Sequence, residues 1–87
     1  MALVELYTTK WCPYCTRARE LLRRKGVVFA DIDIGEEPSR RTEMIRRARG
    51  RTSVPQIFID GEHIGGSDEL LALDRSGRLD TKIGAAR

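Results

Sequence analysis

Apolar residues along this chain switch repeatedly between the period of a strand and the period of a helix. Leu3 to Thr8 (LVELYT) is short, rich in strand formers, and predicts a first strand. From Pro13 onward Ala18, Leu21 and Leu22 recur at i, i+3 and i+4, while Arg17, Arg19, Glu20, Arg23 and Arg24 face away. That stripe predicts an amphipathic helix, with Pro13 suited to its first position and Gly26 to its end. Val28 to Ile34 (VFADIDI) alternates Val28, Ala30, Ile32 and Ile34 with Phe29, Asp31 and Asp33, so a second strand should bury the first set. Met44, Ile45 and Ala48 mark a second helix over Glu36 to Arg49, stopped by Gly50. QIFI (56–59) and EHIG (62–65) flank Asp60-Gly61, the dipeptide of a type I′ hairpin. Ser67 is placed to cap a third helix carrying Leu70, Leu71 and Leu73, and after Gly77 only Leu79 and Ile83 are left as anchors, which predicts a loosely packed tail over 78–87.

The order β-α-β-α-β-β-α implies an α/β fold: a four-stranded mixed sheet flanked by three helices, its first two strands parallel and its last two a hairpin. This is the thioredoxin-like arrangement. With 87 residues and no linker, repeat or low-complexity tract, residues 1–87 form a single domain. Composition narrows the setting. Lys and Arg outnumber Asp and Glu by 16 to 13, one third of the residues are charged, and 40% are hydrophobic. No segment approaches the ~20 apolar residues of a membrane span, and no signal-like segment opens the chain, so a cytoplasmic location without membrane attachment is expected. The arginine clusters RARELLRRK and RRTEMIRRARGR are interleaved with core positions and carry no stacking aromatics. They read as solvated helix faces and not as a nucleic-acid surface.

Cys12 and Cys15, the only cysteines, stand in KWCPYCTRA at the junction of the first strand and first helix. In a cytoplasmic chain a structural disulfide is the less common use of such a pair, and so short a loop constrains the unfolded chain little. A zinc site needs two further ligands, and the chain offers one histidine, His63. A working redox couple is the strong reading. Near the helix N-terminus Cys12 faces free backbone N–H groups and the positive end of the helix dipole, which favour the thiolate, the reactive form of cysteine. Cys15, one turn further in, is the more buried partner, so Cys12 is expected to attack and Cys15 to resolve.

The motifs CPYC after YTT, TSVPQIFIDGEHIGG, and SDE before a helix together resemble those of the glutaredoxins, the short dithiol bacterial type in particular, and the similarity spans Val4 to Leu73. The resemblance implies glutathione-dependent reduction of protein disulfides and of glutathione mixed disulfides, with glutathione as reducing co-substrate and no metal. It implies that Pro55 is cis and that Val54 presents its backbone to the tripeptide. It also implies that Tyr14, Thr52, Gly66 and Ser67 line the ligand and that Asp68 meets the α-ammonium. The family's lysine three residues before the nucleophile is displaced here: Thr9 holds that position and Lys10 stands one later. Lys10, Gln56, Arg40 and Arg41 are then the candidates for the glycine carboxylate. Partners implied are glutathionylated or disulfide-containing proteins, ribonucleotide reductase among them, and glutathione reductase with NADPH, served by a monomer. The alternatives are a carrier reduced by thioredoxin reductase and an iron–sulfur scaffold dimer bridged by Cys12 and external glutathione.

Overall fold

The computed structural model describes residues 2–84. Strand β1 (Val4–Thr8) leads into α1 (Pro13–Arg24), followed by β2 (Phe29–Asp33), α2 (Ser39–Arg47), β3 (Gln56–Ile59), β4 (Glu62–Gly65), α3 (Ser67–Arg75) and α4 (Arg78–Ile83). The sheet order is β2-β1-β3-β4. β1 runs parallel to β2, opposite Phe29 to Asp33, and antiparallel to β3, which pairs antiparallel with β4. The mixed four-stranded sheet is the one read from the periodicity. The hairpin turn is also as expected, with Asp60 at φ 52 and Gly61 at φ 81, both in the left-handed region that this turn requires. Asp60 further closes the sheet end by accepting the Leu3 N–H at 2.8 Å.

Alternation along β1 and β3 builds a core on each face. Val4, Leu6, Ile57 and Ile59 pack with Ala18, Leu21 and Leu22 of α1, Leu70 of α3, and Leu79 and Ile83. Tyr7 and Phe58 point the other way, joining Ile32, Ile34, Met44 and Ala48 under α2. On that face the Arg47 guanidinium lies 4.2 Å from the Phe58 ring centre, donates to the Tyr7 hydroxyl at 2.7 Å and pairs with Glu5 at 2.8 Å. The Tyr7 hydroxyl in turn donates to Glu43. An arginine stem and its charge thus pin α2 to the sheet, every polar end satisfied.

Four sequence expectations change. The chain after Gly77 is not a loose tail, at least through residue 84: it forms a fourth helix, α4, whose Leu79 is fully buried and Ile83 nearly so. Those two apolar residues lie i, i+4 on one face, and Lys25 ties α1 to both sides of the α3–α4 turn through Asp74 (2.8 Å) and Asp80 (2.9 Å). The last three residues of the expected tail, 85–87, lie outside the described residues. Second, Val28 of the alternating set is 79% exposed and Ala30 is also exposed, while Ile32 and Ile34 are buried. β2 is an edge strand, and α2 covers only its C-terminal half. Third, α2 starts at Ser39 and not at Glu36, because the Asp33 carboxylate accepts from the N–H groups of Gly35 (2.8 Å) and Glu36 (3.2 Å), turning the chain before the helix can begin. Fourth, the N-cap of α3 is Gly66 and not Ser67. Glu69 reaches back to accept the Gly66 N–H at 2.6 Å, leaving Ser67 as the first helical residue.

Candidate active site

Both cysteines sit where the parallel strands end, the edge at which open α/β sheets place their sites. Cys12 is the N-cap of α1, with an extended backbone (φ −91, ψ 117), and Pro13 follows as the first helical residue. The cap geometry turns the Cys12 sulfur back over the first turn, where it accepts the Cys15 N–H at 3.4 Å. On its other side the sulfur lies 3.8 Å from the Val54 carbonyl oxygen, to which its thiol donates. Cys12 is partly exposed, Cys15 fully buried, and both are free thiols. Burial pushes the Cys15 thiol up to about 12, with the neighbouring Cys12 adding to the rise. The asymmetry between an accessible and a buried sulfur is the one expected of an attacking and a resolving cysteine.

Beside Cys12 opens a groove of about 200 Å³. Tyr14 forms one wall, half-exposed, with the Arg17 guanidinium 5.6 Å from its ring centre. Ser53, Val54 and Pro55 line the groove too, with the Val54–Pro55 bond cis. Gly66, Ser67 and Asp68, at the N-terminus of α3, also line it. Glycine is required at Gly65 (φ 121), where a Cβ would lie 2.6 Å from the Glu69 carboxylate, while at Gly66 a Cβ would make a tight 3.3 Å contact with the Pro55 carbonyl. A larger recess, about 560 Å³ between Val4, Val27, Phe29 and Ile83, lies at the opposite ends of β1 and β2 from Cys12.

The structure therefore brings together Cys12, Cys15, Tyr14, Val54, Pro55, Gly66, Ser67 and Asp68, all singled out in the sequence. It does not bring in Thr52, which is exposed and absent from the groove lining. Lys10 is turned to the β2 side, pairing with Glu36 at 3.3 Å in a separate recess it shares with Thr9, Trp11 and Asp33. Gln56 is fully buried, its amide donating to the Ser53 carbonyl (3.0 Å) and hydroxyl (3.3 Å), its oxygen 2.7 Å from His63 Nε2. Arg40 is engaged by Glu37 and Glu43. None of these is placed at the groove. The cation that is there is Arg51, a lining residue held 3.4 Å from Glu69 Oε1. Arg51, Ser53 and Glu69 escaped the sequence reading; the signal for Arg51 was its place directly ahead of TSVPQ. His63 stacks on Phe58 (ring centres 5.1 Å apart), and burial and the charges of Arg51 and Arg49 hold its imidazole below the usual histidine range.

Comparison with known proteins gives a consistent picture. The glutaredoxin family model matches residues 4–64. Glutaredoxin 3 of Escherichia coli K12 is 58% identical over 80 residues, covering 92% of this chain and 95% of that protein. A glutaredoxin of Pseudomonas aeruginosa is 52% identical over 85 residues, 98% of this chain and all of that protein. Among solved structures, the glutaredoxin of Brucella melitensis superimposes with a TM-score of 0.83 at 46% identity, covering 100% of this chain and 94% of that one. The buckwheat glutaredoxin–glutathione complex does so at 0.88 and 26% identity, covering 99% and 83%. An N-capping cysteine, a buried partner one turn later and a cis-proline wall beside them have the form of a thiol–disulfide oxidoreductase site, and the chain belongs to the glutaredoxin family.

Proposed function

We propose that this protein uses glutathione to reduce protein disulfides and glutathione mixed disulfides through Cys12 and Cys15. The observation that carries the reading is the position of the Cys12 sulfur, 3.8 Å from the Val54 carbonyl at the mouth of the groove. A tripeptide laid along Val54 as an added strand would bring its cysteine sulfur to Cys12. Its α-carboxylate would meet the N-terminus of α3, its α-ammonium Asp68, and its glycine carboxylate Arg51, which takes the part expected of Lys10. The likeness to a glutaredoxin solved with glutathione supports the same assignment.

With a glutathionylated protein, the Cys12 thiolate attacks the glutathione sulfur. The substrate sulfur leaves as a thiolate and takes up a proton, leaving Cys12 joined to glutathione. A second glutathione thiolate attacks that glutathione sulfur, releasing Cys12 and glutathione disulfide, which glutathione reductase returns to glutathione with NADPH. With a protein disulfide, Cys12 forms the mixed disulfide and Cys15 displaces the substrate, leaving a Cys12–Cys15 disulfide that two glutathiones reduce. We place this chemistry in a cytoplasmic monomer, with disulfide-bearing enzymes such as ribonucleotide reductase as clients.

The test is a coupled turnover assay of NADPH oxidation with glutathione and glutathione reductase, set against thioredoxin reductase. Turnover is expected with the first. Cys15→Ser should keep deglutathionylation and lose protein-disulfide reduction, and Cys12→Ser should lose both. Turnover with thioredoxin reductase alone, or an active Cys12→Ser variant, overturns the proposal.

A further inference from the structure

A polar chain encloses the buried thiol from the side away from the groove. Arg19 stands four residues after Cys15 on α1, so it shares the buried helix face, and its side chain is only 15% exposed. Its Nε donates to Asp31 Oδ2 at 2.6 Å, and its Nη2 reaches the Thr9 carbonyl at 3.4 Å. Thr8, fully buried, donates its hydroxyl to the other Asp31 oxygen at 2.6 Å. Three elements are thereby clamped around Cys15: the end of β1, the edge strand β2 and the first turns of α1. The Thr9 N–H faces the Cys15 sulfur, and the Arg19 charge and that N–H both act against the burial that holds the thiol protonated. The charged and titratable groups bearing on Cys15 are Cys12 and Arg19 of its own helix and Asp31 of β2 behind Arg19.

We propose that Arg19, oriented by Asp31, is a positioning residue for the resolving step: its guanidinium and the Thr9 N–H it steadies stabilise Cys15 as the sulfur that attacks the Cys12 mixed disulfide. The inference rests on the reading of Cys15 as resolving cysteine. In that step the Cys15 sulfur bonds to the Cys12 sulfur and the bond from Cys12 to the substrate sulfur breaks. The substrate sulfur leaves with that bond's electron pair and accepts the proton lost by Cys15, so a thiol and a mixed disulfide become a disulfide and a thiol. Only the thiolate attacks, so the rate follows the small ionised fraction of Cys15. A tenfold loss of that fraction is offset about threefold by the greater nucleophilicity of a more basic sulfur, leaving a slowing of about threefold.

The experiment follows two thiolate releases by stopped-flow absorbance when the reduced protein meets the aromatic disulfide 5,5′-dithiobis(2-nitrobenzoate). The first release forms the Cys12 mixed disulfide, and the second reports its closure by Cys15. Arg19→Gln should slow the second release at least threefold at every pH from 6 to 9, parallel to the unaltered protein, with the first release within twofold. Arg19→Lys, which keeps the charge, should recover most of the loss. A second release within twofold in Arg19→Gln, or Arg19→Lys as slow as Arg19→Gln, overturns the inference. In Cys15→Ser the second release should vanish; if it persists, the role of Cys15 itself is wrong, which separates that failure from a failure of Arg19 alone.

Discussion

Gln56→Leu tests how the groove wall is held. Gln56 is fully buried at the start of β3, and its amide links Ser53, two residues before Pro55, to His63 on β4. Leucine is of similar size and keeps the apolar burial, so the cost is mainly polar. Ser53 is exposed and recovers water for its freed groups, giving about 0.5 kcal/mol for each of two hydrogen bonds. His63 is half-buried and stacked under Phe58, and an imidazole N–H left unpaired there costs about 1 to 2 kcal/mol. The sum, about 2 to 3 kcal/mol, corresponds in a domain of this size to a fall in Tm of roughly 8 to 24 °C by calorimetry. Because the lost bonds anchor Ser53 and hence Val54, KM for a glutathione mixed disulfide should rise severalfold as well. In a double-mutant cycle with His63→Leu the coupling should be about 1 kcal/mol, since each single variant breaks the same bond. A change in stability below 0.5 kcal/mol, or additive single variants, would refute the view that this amide braces the wall.

Three further outcomes are expected. Lys10→Ala should leave KM for glutathione mixed disulfides within twofold while Arg51→Ala raises it about three- to tenfold, as befits a partly exposed charge-assisted contact; the reverse ranking restores Lys10 to the site. Leu79→Ala should cost about 2 to 5 kcal/mol in urea unfolding, because a fully buried side chain is removed from the core under α1 and α3, whereas a frayed segment would lose under 0.5. His63 is held below its ordinary 6.5, so the folded state resists taking its proton while the unfolded chain accepts it. Its contribution to stability is present above pH 6.5 and is lost as pH falls through the folded value. His63→Gln should flatten that part of the stability–pH curve, and an unchanged curve counts against the assignment.

Local chemistry was the legible part of this fold. The hairpin could be read because Asp60-Gly61 carries its own backbone requirement, and α1 because its apolar stripe, Pro13 and Gly26 agree. The cysteine positions were legible for the same reason: a strand-to-helix junction puts one sulfur at the cap and the next a turn inside. What was not legible depends on tertiary neighbours. Nothing in VFADIDI says that β2 is an edge strand whose lower half stays uncovered, so Val28 looked like core. Two apolar residues after Gly77 are too few to announce α4, which exists because α1 and α3 leave a place for Leu79 and Ile83. The structure turns Lys10 and Gln56 away from the groove because Glu36 pairs with the one and Ser53 and His63 hold the other, pairings that the order of residues along the chain does not announce. Arg51 reaches the groove lining through the fold of the loop ahead of Pro55.

One carboxylate in the groove lining has a consequence for selectivity. Glu69 accepts the Gly66 N–H at 2.6 Å and holds Arg51 at 3.4 Å, and both contacts keep it ionised well below the usual carboxylate range. The N-terminus of α3 thus carries its own counter-ion when no ligand is bound. A small free anion such as phosphate finds the positive charge already neutralised and gains little by displacing it. The ligand proposed above, with a carboxylate for the helix end, an ammonium for Asp68 and a peptide edge for Val54, would make up the exchange through its other contacts. On the proposed reading, the resident anion would act as a filter, favouring zwitterionic peptides over the inorganic anions around them.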